Sequence, residues 1–204
     1  MPSKAEVKII RSLKYKKYRK QHGLFIAEGP HLVDSLMESS FRLSRLYATE
    51  EGLARLSVPV PDEKLSMVKP DVLKGLSSLS TDQGLLATVA LPTCDFGPAL
   101  AEERWVVGVD GIQDPGNLGT IIRTADWFGF PYLLCSPTTV DAFNPKVVQA
   151  SMGSIFHTAI RYAELPVFAG YSSAPVYSLT KNGQDFYKTQ WPKAGVIVVG
   201  HETH

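Results

Sequence analysis

The segment from Trp105 to Gly129 restricts the possible folds of this chain more than any other. It opens with an apolar run, Trp105–Asp110, that is typical of a strand buried on both faces of a parallel sheet. A loop rich in glycine and proline follows, and Asn117–Phe128 then has the apolar period of a helix. Ligands of open α/β sheets bind beyond the carboxyl ends of strands, where helix N-termini offer free N–H groups. The segment therefore predicts a mainly parallel α/β sheet with a ligand site at this loop.

The rest of the chain alternates short strand and helix patterns. Further strands are expected at Leu24–Ala27, Arg42–Ala48, Lys64–Val68, Gly84–Leu91, Tyr132–Cys135, Ala174–Leu179 and Gly195–Gly200. Further helices are expected at residues 1–20, Gly29–Met37, Glu50–Leu56, Pro70–Leu76 and Asn144–Met152. Two prolines and a glycine between Leu91 and Arg104 indicate a linker, which we place at residues 93–103. This organisation predicts two layered α/β domains, at residues 1–92 and 104–204.

The composition excludes several classes of protein. Of the 204 residues, 44% are hydrophobic and 20% are charged, which is usual for a globular protein and unlike a disordered one. No apolar run approaches the roughly 18 residues of a membrane-spanning helix, and no signal-peptide pattern opens the chain. Cys94 and Cys135 are far apart and form no CxxC pair, which argues against a disulfide scaffold or a zinc knuckle. We therefore expect a cytoplasmic protein without a membrane partner.

Positive charge is concentrated at the start of the chain. The first 24 residues contain eight basic side chains and one acidic one, whereas the whole chain has a net charge of +1. A basic element of this kind is the electrostatic footprint of a polyanion-binding protein, and interleaved aromatic side chains, here Tyr15 and Tyr18, stack on unpaired RNA bases. A solvated helix face and ordinary packing of the tyrosines are the alternatives. The candidate RNA-binding residues of this segment are Lys14, Lys16, Lys17 and Arg19.

Arg123 is the candidate for direct chemistry in the second half of the chain. With about 100° of rotation per residue, it projects about 150° away from the centre of the apolar helix face. A guanidinium in that position, soon after a loop of glycine and proline, is able to bind a phosphate through two hydrogen bonds. The alternative is a surface salt bridge, the usual fate of a helical arginine. Asn117 is expected to be the N-cap of the helix in addition to any functional role.

Several familiar catalytic motifs are absent from the sequence. GxGxxG and GxxxxGK[ST] are missing, which argues against a Rossmann dehydrogenase and a P-loop ATPase. GxSxG is missing too, so a hydrolase nucleophile elbow has no support. The run His201-Glu202-Thr203-His204 is not HExxH, because its histidines are three apart and no third ligand is evident. We therefore expect no metal.

The chain contains the motifs Asp-Pro-Gly-Asn-Leu-Gly (Asp114–Gly119), Ile-Ile-Arg-Thr-Ala (Ile121–Ala125) and Ala-Ser-Met-Gly-Ser (Ala150–Ser154). In these motifs it resembles the SpoU (TrmH-type) family of the SPOUT superfamily, the trefoil-knotted RNA 2′-O-ribose methyltransferases. The resemblance covers nearly the whole chain. Its first motif is the Asp-Pro-Gly-Asn-Leu-Gly segment with the Ile-Ile-Arg-Thr-Ala segment after it, and Gly200-His201-Glu202 stands where the second motif usually has Gly-Asn-Glu. The matching stretches are Phe25–Gly29, Asp114–Gly119, Ile121–Ala125, Asn144–Val148, Ala150–Ser154 and Gly200–Glu202.

The resemblance implies a fold, a cofactor and partners. The fold is α/β, with an N-terminal three-layer domain like ribosomal protein L30e and a C-terminal SPOUT trefoil-knot methyltransferase domain. The methyl donor is S-adenosylmethionine, and no metal is required. The partner is ribosomal or transfer RNA, and the protein is expected to be a homodimer through its C-terminal domain.

The resemblance also implies roles for individual residues. Arg123 is the central catalytic residue, Asn117 shapes the active-site loop and Glu202 helps to organise the pocket. The main chain around Leu179, Thr180 and Gly200 cradles the methyl donor. Because the pKa of arginine lies above about 12, we expect Arg123 to hold an RNA phosphate and stabilise a developing alkoxide rather than act as the base.

The sequence departs from the family pattern at its end. Family members continue past the second motif to a third one, Ser-Leu-Asn, which passes through the knot and completes the donor pocket, whereas this sequence stops at His204. We expect the complete protein to continue beyond that residue. The alternative is a non-catalytic RNA-binding protein that keeps the scaffold. A cofactor-dependent enzyme acting on a small molecule is a third hypothesis, and the basic start of the chain argues against it.

Overall fold

The computed structural model describes residues 2–79, 81–180 and 182–200. The α-helices of these residues are α1 (Lys4–Ser12), α2 (Lys16–His22), α3 (Pro30–Met37), α4 (Glu50–Leu53), α5 (Pro70–Leu76), α6 (Leu100–Glu103), α7 (Pro115–Trp127), α8 (Pro145–Ala150) and α9 (Leu165–Gly170). The strands are β1 (Leu24–Glu28), β2 (Leu43–Ala48), β3 (Leu65–Met67), β4 (Leu85–Ala90), β5 (Trp105–Val109), β6 (Tyr132–Cys135), β7 (Ala159–Tyr162), β8 (Val176–Ser178) and β9 (Gly195–Val199). None of these helices combines the length and the apolar character needed to cross a membrane.

The first four strands form a mixed sheet in the order β1-β4-β2-β3. Strand β4 pairs antiparallel with β1 and β2, and β2 pairs parallel with β3. Because side chains alternate across a strand, Ile26 and Leu86 face helices α1 and α5, whereas Phe25 and Leu85 face α3 and the second half of the chain. Both faces of this sheet are therefore covered, and the layered α/β organisation predicted for this part is observed.

The second sheet has the order β7-β6-β5-β9-β8, and every neighbouring pair in it is parallel. Helices α7 and α8 cover one face, where Leu118 and Ile122 share a core with Val107. Helices α6 and α9 cover the other face, where Ala101 and Phe168 share a core with Val106. A parallel sheet requires cover on both faces because its strands are apolar on both sides. The parallel α/β fold predicted from Trp105–Asp110 is confirmed.

Residues 1–20 do not form the single helix that their apolar spacing predicts. Helices α1 and α2 are separated by a break in which Tyr15 is extended. Leu13 is fully buried in this break, and Arg19 donates a hydrogen bond of 2.7 Å to the Leu13 main-chain oxygen. The guanidinium thus binds a carbonyl that a continuous helix would have paired internally. The prediction failed because the spacing of apolar residues along the chain does not reveal that tertiary packing holds the Arg19 side chain against the Leu13 carbonyl.

Four other parts of the chain differ from the sequence-based expectations. The expected linker, residues 93–103, contains α6 and packs Phe96 and Ala101 into the core of the second sheet. Strand β7 and helix α9 were missed, because they contain only four and six residues and such short elements carry little periodic signal. The expected helix Asn144–Met152 is shorter, and Asn144 is its N-cap, with Oδ1 accepting from the Lys146 N–H at 3.0 Å.

A cluster of buried and partly buried aromatic rings joins the two halves of the chain. The ring centroids of Phe25 and Phe143 lie 4.8 Å apart, and those of Phe41 and Phe156 lie 5.3 Å apart. Aromatic pairs of this kind contribute about 0.5–1.5 kcal/mol each beyond the burial of their area. One continuous set of buried side chains runs from the first sheet through these rings into α7 and α8. The two sheets therefore share a core and are not linked by the connecting chain alone.

Gly119 allows α7 and α8 to pack closely. A β-carbon at position 119 would overlap the Ala150 side chain and would lie 3.0 Å from the Ser151 main-chain nitrogen. The glycine is therefore required by the contact between the helices and not by its backbone angles. This contact also fixes the direction of α7, the helix that carries Arg123.

We expect Gly119→Ala to lower the free energy of unfolding by about 1–3 kcal/mol, the usual cost of overpacking, despite the better helix propensity of alanine. Denaturant unfolding followed by circular dichroism measures the change. Gly170→Ala is the matched control, because a β-carbon there meets nothing within 4 Å. Equal free energies of unfolding for the two variants would show that α7 and α8 separate without cost.

Candidate functional site

The carboxyl ends of β5, β9 and β8 meet at one edge of the second sheet. The parallel register places Val109 opposite Val199 and Ser178 opposite Val198, so the residues that follow these strands lie side by side. From β5 the chain moves outward to β6 and β7 with its helices on one face, and it then crosses on the other face to β8 and β9. The strand order reverses beside β5, and ligands of open α/β sheets bind in the crevice at such a point. This edge is the candidate site.

The loop between β5 and α7 is held by a side-chain cap. Asp114 is the N-cap of α7, and its Oδ1 accepts a hydrogen bond of 2.8 Å from the Asn117 N–H. Pro115 occupies the first helical position, where its missing N–H costs nothing. Asn117 is therefore the third residue of the helix, with an exposed side chain. The expectation that Asn117 is the N-cap is wrong, because the capping oxygen has to precede the N–H group that it binds.

Arg123 lies on the exposed face of α7, about 12 Å along the helix from Pro115 at 1.5 Å per residue. Its neighbours Leu118 and Ile122 point into the core, as the helical period predicted. No salt bridge joins Arg123 to any other residue in the described ranges. The surface salt bridge that was the alternative for this side chain is therefore not observed there. An exposed guanidinium without a carboxylate partner is suited to binding a phosphate.

The residues expected to bind the methyl donor follow strands β8 and β9. The Leu179 N–H donates to the Val198 carbonyl at 3.1 Å, and the Thr180 carbonyl accepts from the Gly183 N–H at 3.3 Å. The Leu179 side chain is 53% exposed, and among the described residues no atom lies within 4 Å of a β-carbon built on Gly200. The edge thus combines an apolar side chain, main-chain polar groups and open space. Glu202, the remaining expected catalytic residue, lies outside the described residues, as does the whole run 201–204.

Sequence reasoning missed a cluster of hydroxyl groups after β6, formed by Ser136, Thr138 and Thr139. The Ser136 Oγ lies 3.0 Å from both threonine Oγ1 atoms and accepts a hydrogen bond of 2.9 Å from the Gly111 N–H. The Thr139 Oγ1 donates to the Val109 carbonyl at 3.0 Å. The cluster therefore holds the main chain at the point where β5 leads into the Asp114 loop. The sequence signal that could have indicated this cluster is the group of hydroxyl residues directly after strand β6.

The basic start of the chain presents lysines and aromatic rings on one surface. Lys14, Lys16 and Lys17 are exposed. Tyr15 and Tyr18 are 56% and 37% exposed, and their ring centroids lie 6.4 Å apart. The Nζ atoms of Lys14 and Lys17 lie 5.1 and 5.9 Å from the centroids of the tyrosine rings that follow them. The tyrosines are thus not packed into the core, and the surface offers cationic and aromatic groups together.

Arg19 does not belong to this basic surface. Its side chain is 2% exposed, and its Nη2 atom lies 2.5 Å from the Asp141 Oδ2. The prediction that Arg19 binds RNA is wrong, because the Asp141 carboxylate and the Leu13 carbonyl satisfy the guanidinium inside the protein. A charge count does not distinguish an exposed cation from a paired one.

The cysteines are not activated nucleophiles. Burial raises the pKa of the Cys135 thiol to about 12, and burial is also the main cause that raises the pKa of Cys94. Since the thiolate is the reactive form, both side chains are protonated at neutral pH. Over residues 2–79, 81–180 and 182–200, no three histidine, cysteine, aspartate or glutamate side chains lie together as metal ligands would.

An open parallel sheet with a capped loop, main-chain polar groups and an exposed guanidinium at its carboxyl edge is the layout of an α/β ligand-binding enzyme. Two family models match this chain. The SpoU rRNA Methylase family matches residues 104–204, and the MRM3-like substrate binding domain matches residues 4–87. The chain is 30% identical to the 23S rRNA (guanosine(2553)-2′-O)-methyltransferase RlmP of Bacillus subtilis (strain 168), over 97% of this chain and 79% of that relative. It belongs to the SpoU rRNA methylase family.

Solved structures share the fold over almost the whole chain. A TrmH-family protein from Porphyromonas gingivalis superposes with a TM-score of 0.85 at 33% identity, covering 98% of this chain and 81% of that one. The AdoMet-bound rRNA methyltransferase of Sinorhizobium meliloti superposes with a TM-score of 0.80 at 25% identity, covering 100% of this chain and 81% of that one. The parallel α/β fold of the second sheet is thus that of SPOUT methyltransferases.

We expect Asp114→Ala to lower the free energy of unfolding by about 0.5–2 kcal/mol, because the first turn of α7 loses its capping oxygen. Asp114→Asn keeps an acceptor at the same place and should unfold within about 0.5 kcal/mol of the wild type. Thermal and denaturant unfolding of the three proteins test this. A loss of the same size in both variants would mean that the charge of Asp114 is needed and not its hydrogen bond.

Proposed function

We propose that this chain transfers a methyl group from S-adenosylmethionine to a ribose 2′-hydroxyl in ribosomal RNA. The observation that carries the proposal is the exposed Arg123 on α7, the helix that begins at the sheet edge where the strand order reverses. Membership of the SpoU family and the similarity to RlmP support the same reaction. The name of that relative specifies 23S rRNA, which favours ribosomal over transfer RNA as the substrate.

The residues at the sheet edge fit S-adenosylmethionine. Leu179 offers an exposed apolar surface for the adenine ring, and the main chain around Thr180 and Gly200 offers hydrogen-bonding groups beside open space. When bound, S-adenosylmethionine supplies a methyl group that its sulfonium activates toward in-line attack. We assign to Glu202 the role of organising the same pocket, since it stands two residues after Gly200 in the sequence.

Arg123 acts by binding and by electrostatics. An arginine side chain stays protonated in proteins and is a poor base, so the base is a phosphate oxygen or water. The guanidinium binds an RNA phosphate through two hydrogen bonds and stabilises the alkoxide that develops at the 2′-oxygen. Positioning of the reacting groups contributes up to about 7–11 kcal/mol to such reactions. Asn117, exposed at the start of α7, shapes the loop that borders this space.

The proposal extends to the organisation of the protein. We assign residues 1–92 to an L30e-like RNA-binding domain and residues 104–204 to a SPOUT trefoil-knot domain, with residues 93–103 between them. The mixed sheet with helices on its faces and the match to the MRM3-like substrate binding domain support the first assignment. The protein acts as a homodimer through the second domain. It works in the cytoplasm, and the free thiols of Cys94 and Cys135 support a reducing compartment.

Arg123→Ala should reduce methyl transfer by about a hundredfold or more, the usual effect of removing one donor that stabilises a developing oxyanion. S-adenosylmethionine should still bind with a Kd within about twofold of the wild type, because Arg123 contacts the RNA and not the donor. The measurements are transfer of labelled methyl groups to ribosomal RNA from cells that lack the gene, and calorimetry with S-adenosylmethionine.

Arg104→Ala is the control for this variant. Arg104 is exposed and directly precedes β5, at the opposite edge of the sheet from the candidate site. It should leave both measurements unchanged. An equal loss of donor affinity in Arg123→Ala would refute the role assigned to Arg123, and a full-length protein that neither binds S-adenosylmethionine nor methylates RNA would refute the reaction itself.

Replacing Lys14, Lys16 and Lys17 by glutamine should weaken RNA binding and flatten its salt dependence. Each phosphate contact adds about 0.7–0.9 to the slope of log K against log salt, so the loss of three contacts should reduce the slope by about 2–3. Filter binding or fluorescence anisotropy over a range of salt concentrations measures the slope. The control triple replaces Lys74, Lys188 and Lys193, which are exposed elsewhere. Identical slopes for both triples would mean that the N-terminal lysines are only solvated.

A further inference from the structure

The buried ion pair between Arg19 and Asp141 joins the basic helix α2 to the second half of the chain. Two nitrogens of Arg19, Nε and Nη2, donate to the Asp141 Oδ2 at 3.1 and 2.5 Å. The third, Nη1, donates to the Leu13 carbonyl, where α1 ends. The two side chains are only 2% and 14% exposed. The guanidinium therefore fixes one geometry between α2 and the segment that contains Asp141, because its planar donors satisfy both partners at once.

A second residue holds the same segment in place from the sheet. The Tyr162 hydroxyl donates to the Val140 carbonyl at 2.5 Å and accepts from the Ala142 N–H at 2.8 Å. The Lys16 Nζ lies 5.5 Å from the centroid of the Tyr162 ring, so α2 contacts this tyrosine as well. Residues 140–142 are thus held between the basic helix and strand β7.

The segment is also bonded to the loop that leads to the candidate site. The Val140 N–H donates to the Ile112 carbonyl at 2.8 Å, and the Thr139 Oγ1 donates to the Val109 carbonyl. The Gly111 N–H donates to the Ser136 Oγ at 2.9 Å. Residues 136–141 are therefore bonded to α2 at one end, through Asp141, and to residues 109–112 through Ser136, Thr139 and Val140. Asp114, the cap of α7, follows two residues later.

We propose that Arg19 and Asp141 are positioning residues for methyl transfer, because their ion pair sets the basic helix and the Asp114–Asn117 loop at one fixed separation. The inference rests on the proposed function. An RNA held by the lysines of α2 is thereby presented to Arg123 at the distance and angle that the reaction requires. A misplacement of about 1 Å is enough to cost a hundredfold in rate, so the pair affects turnover more than RNA affinity.

The variants are chosen to separate the positioning role of the ion pair from a purely structural one. Buried ion pairs contribute little to stability when both partners are compared with well-packed apolar residues, whereas removing one partner alone leaves an uncompensated charge. The informative variant is therefore the double replacement Arg19→Met with Asp141→Leu, which removes both charges and retains similar volumes. Arg19→Lys keeps the charge but loses the planar set of donors.

The experiment measures kcat and KM for methylation of ribosomal RNA, RNA affinity, and amide hydrogen exchange of Val140 and of residues 109–117 in the full-length protein. In the double variant we expect kcat to fall about tenfold to a hundredfold. KM and RNA affinity should stay within about threefold, and exchange at Gly111 and Val140 should become at least about tenfold faster. Arg19→Lys should recover part of kcat.

Arg161→Met is the matched control. Arg161 also donates to an aspartate and to a main-chain carbonyl, Asp95 and Phe96, but on the far side of the second sheet. It should leave kcat and the exchange of residues 109–117 unchanged. Ser136→Ala is a second variant, which removes the hydroxyl that accepts the hydrogen bond from the Gly111 N–H. Thr158→Val is its control, because the buried Thr158 hydroxyl donates to the Ser154 carbonyl and not to the site loop. Only Ser136→Ala should lower kcat.

Two outcomes would overturn the proposal. One is a double variant with wild-type kcat, and the other is a loss that appears wholly in KM and RNA affinity, which would place the pair in substrate binding. If the wild-type protein transfers no methyl group, the proposed function fails, and the exchange measurement then decides alone: unchanged exchange at Gly111 in the double variant refutes the connection between α2 and the loop.

Discussion

The parallel pairing of β9 with β5 is the constraint on which the site depends. It places Val199 opposite Val109, and the hydrogen bond from the Asp110 N–H to the Val199 carbonyl continues the pairing beyond the strand. Segments that are distant in sequence thereby end at one edge, with the capped loop from β5 beside the residues that follow β8 and β9. No side chain in this region would have the same neighbours in an antiparallel sheet, because alternate strands would then end at opposite edges.

The second constraint is the shared core of the two halves. Phe25 and Phe41 of the first half pack against Phe143 and Phe156 of the second. Because α8 and the residues on either side of it supply this surface, the same segment packs against both α7 and the first sheet. If RNA binding and methyl transfer are performed by the two halves, the two sites would be held in one relative orientation by the close packing of these aromatic rings.

The sequence predicted the elements well where a strong local pattern exists. The buried strand at Trp105–Asp110 and the helix with Leu118 and Ile122 inside and Arg123 outside are both observed. Prediction from the sequence failed where the interaction partner of a residue is distant along the chain. Arg19 has the same local context as Lys16 and Lys17, yet it alone meets a carboxylate from residue 141 and becomes buried. The N-cap prediction for Asn117 failed for a local reason, because Asp114 also has a capping oxygen and stands three residues before the N–H group that it binds.

By itself the sequence determined the family, the parallel α/β class and the identity of the exposed arginine, because these depend on motifs and on the period of apolar residues along one segment. The tertiary structure alone decided which of the described cations are exposed and which are paired, that Ser136 and Thr139 bond the loop of the site, and that Asp141 pairs with Arg19. The physical reason is that hydrogen bonds and ion pairs are satisfied by whatever group lies within about 3 Å in space, and distance along the chain does not specify that group.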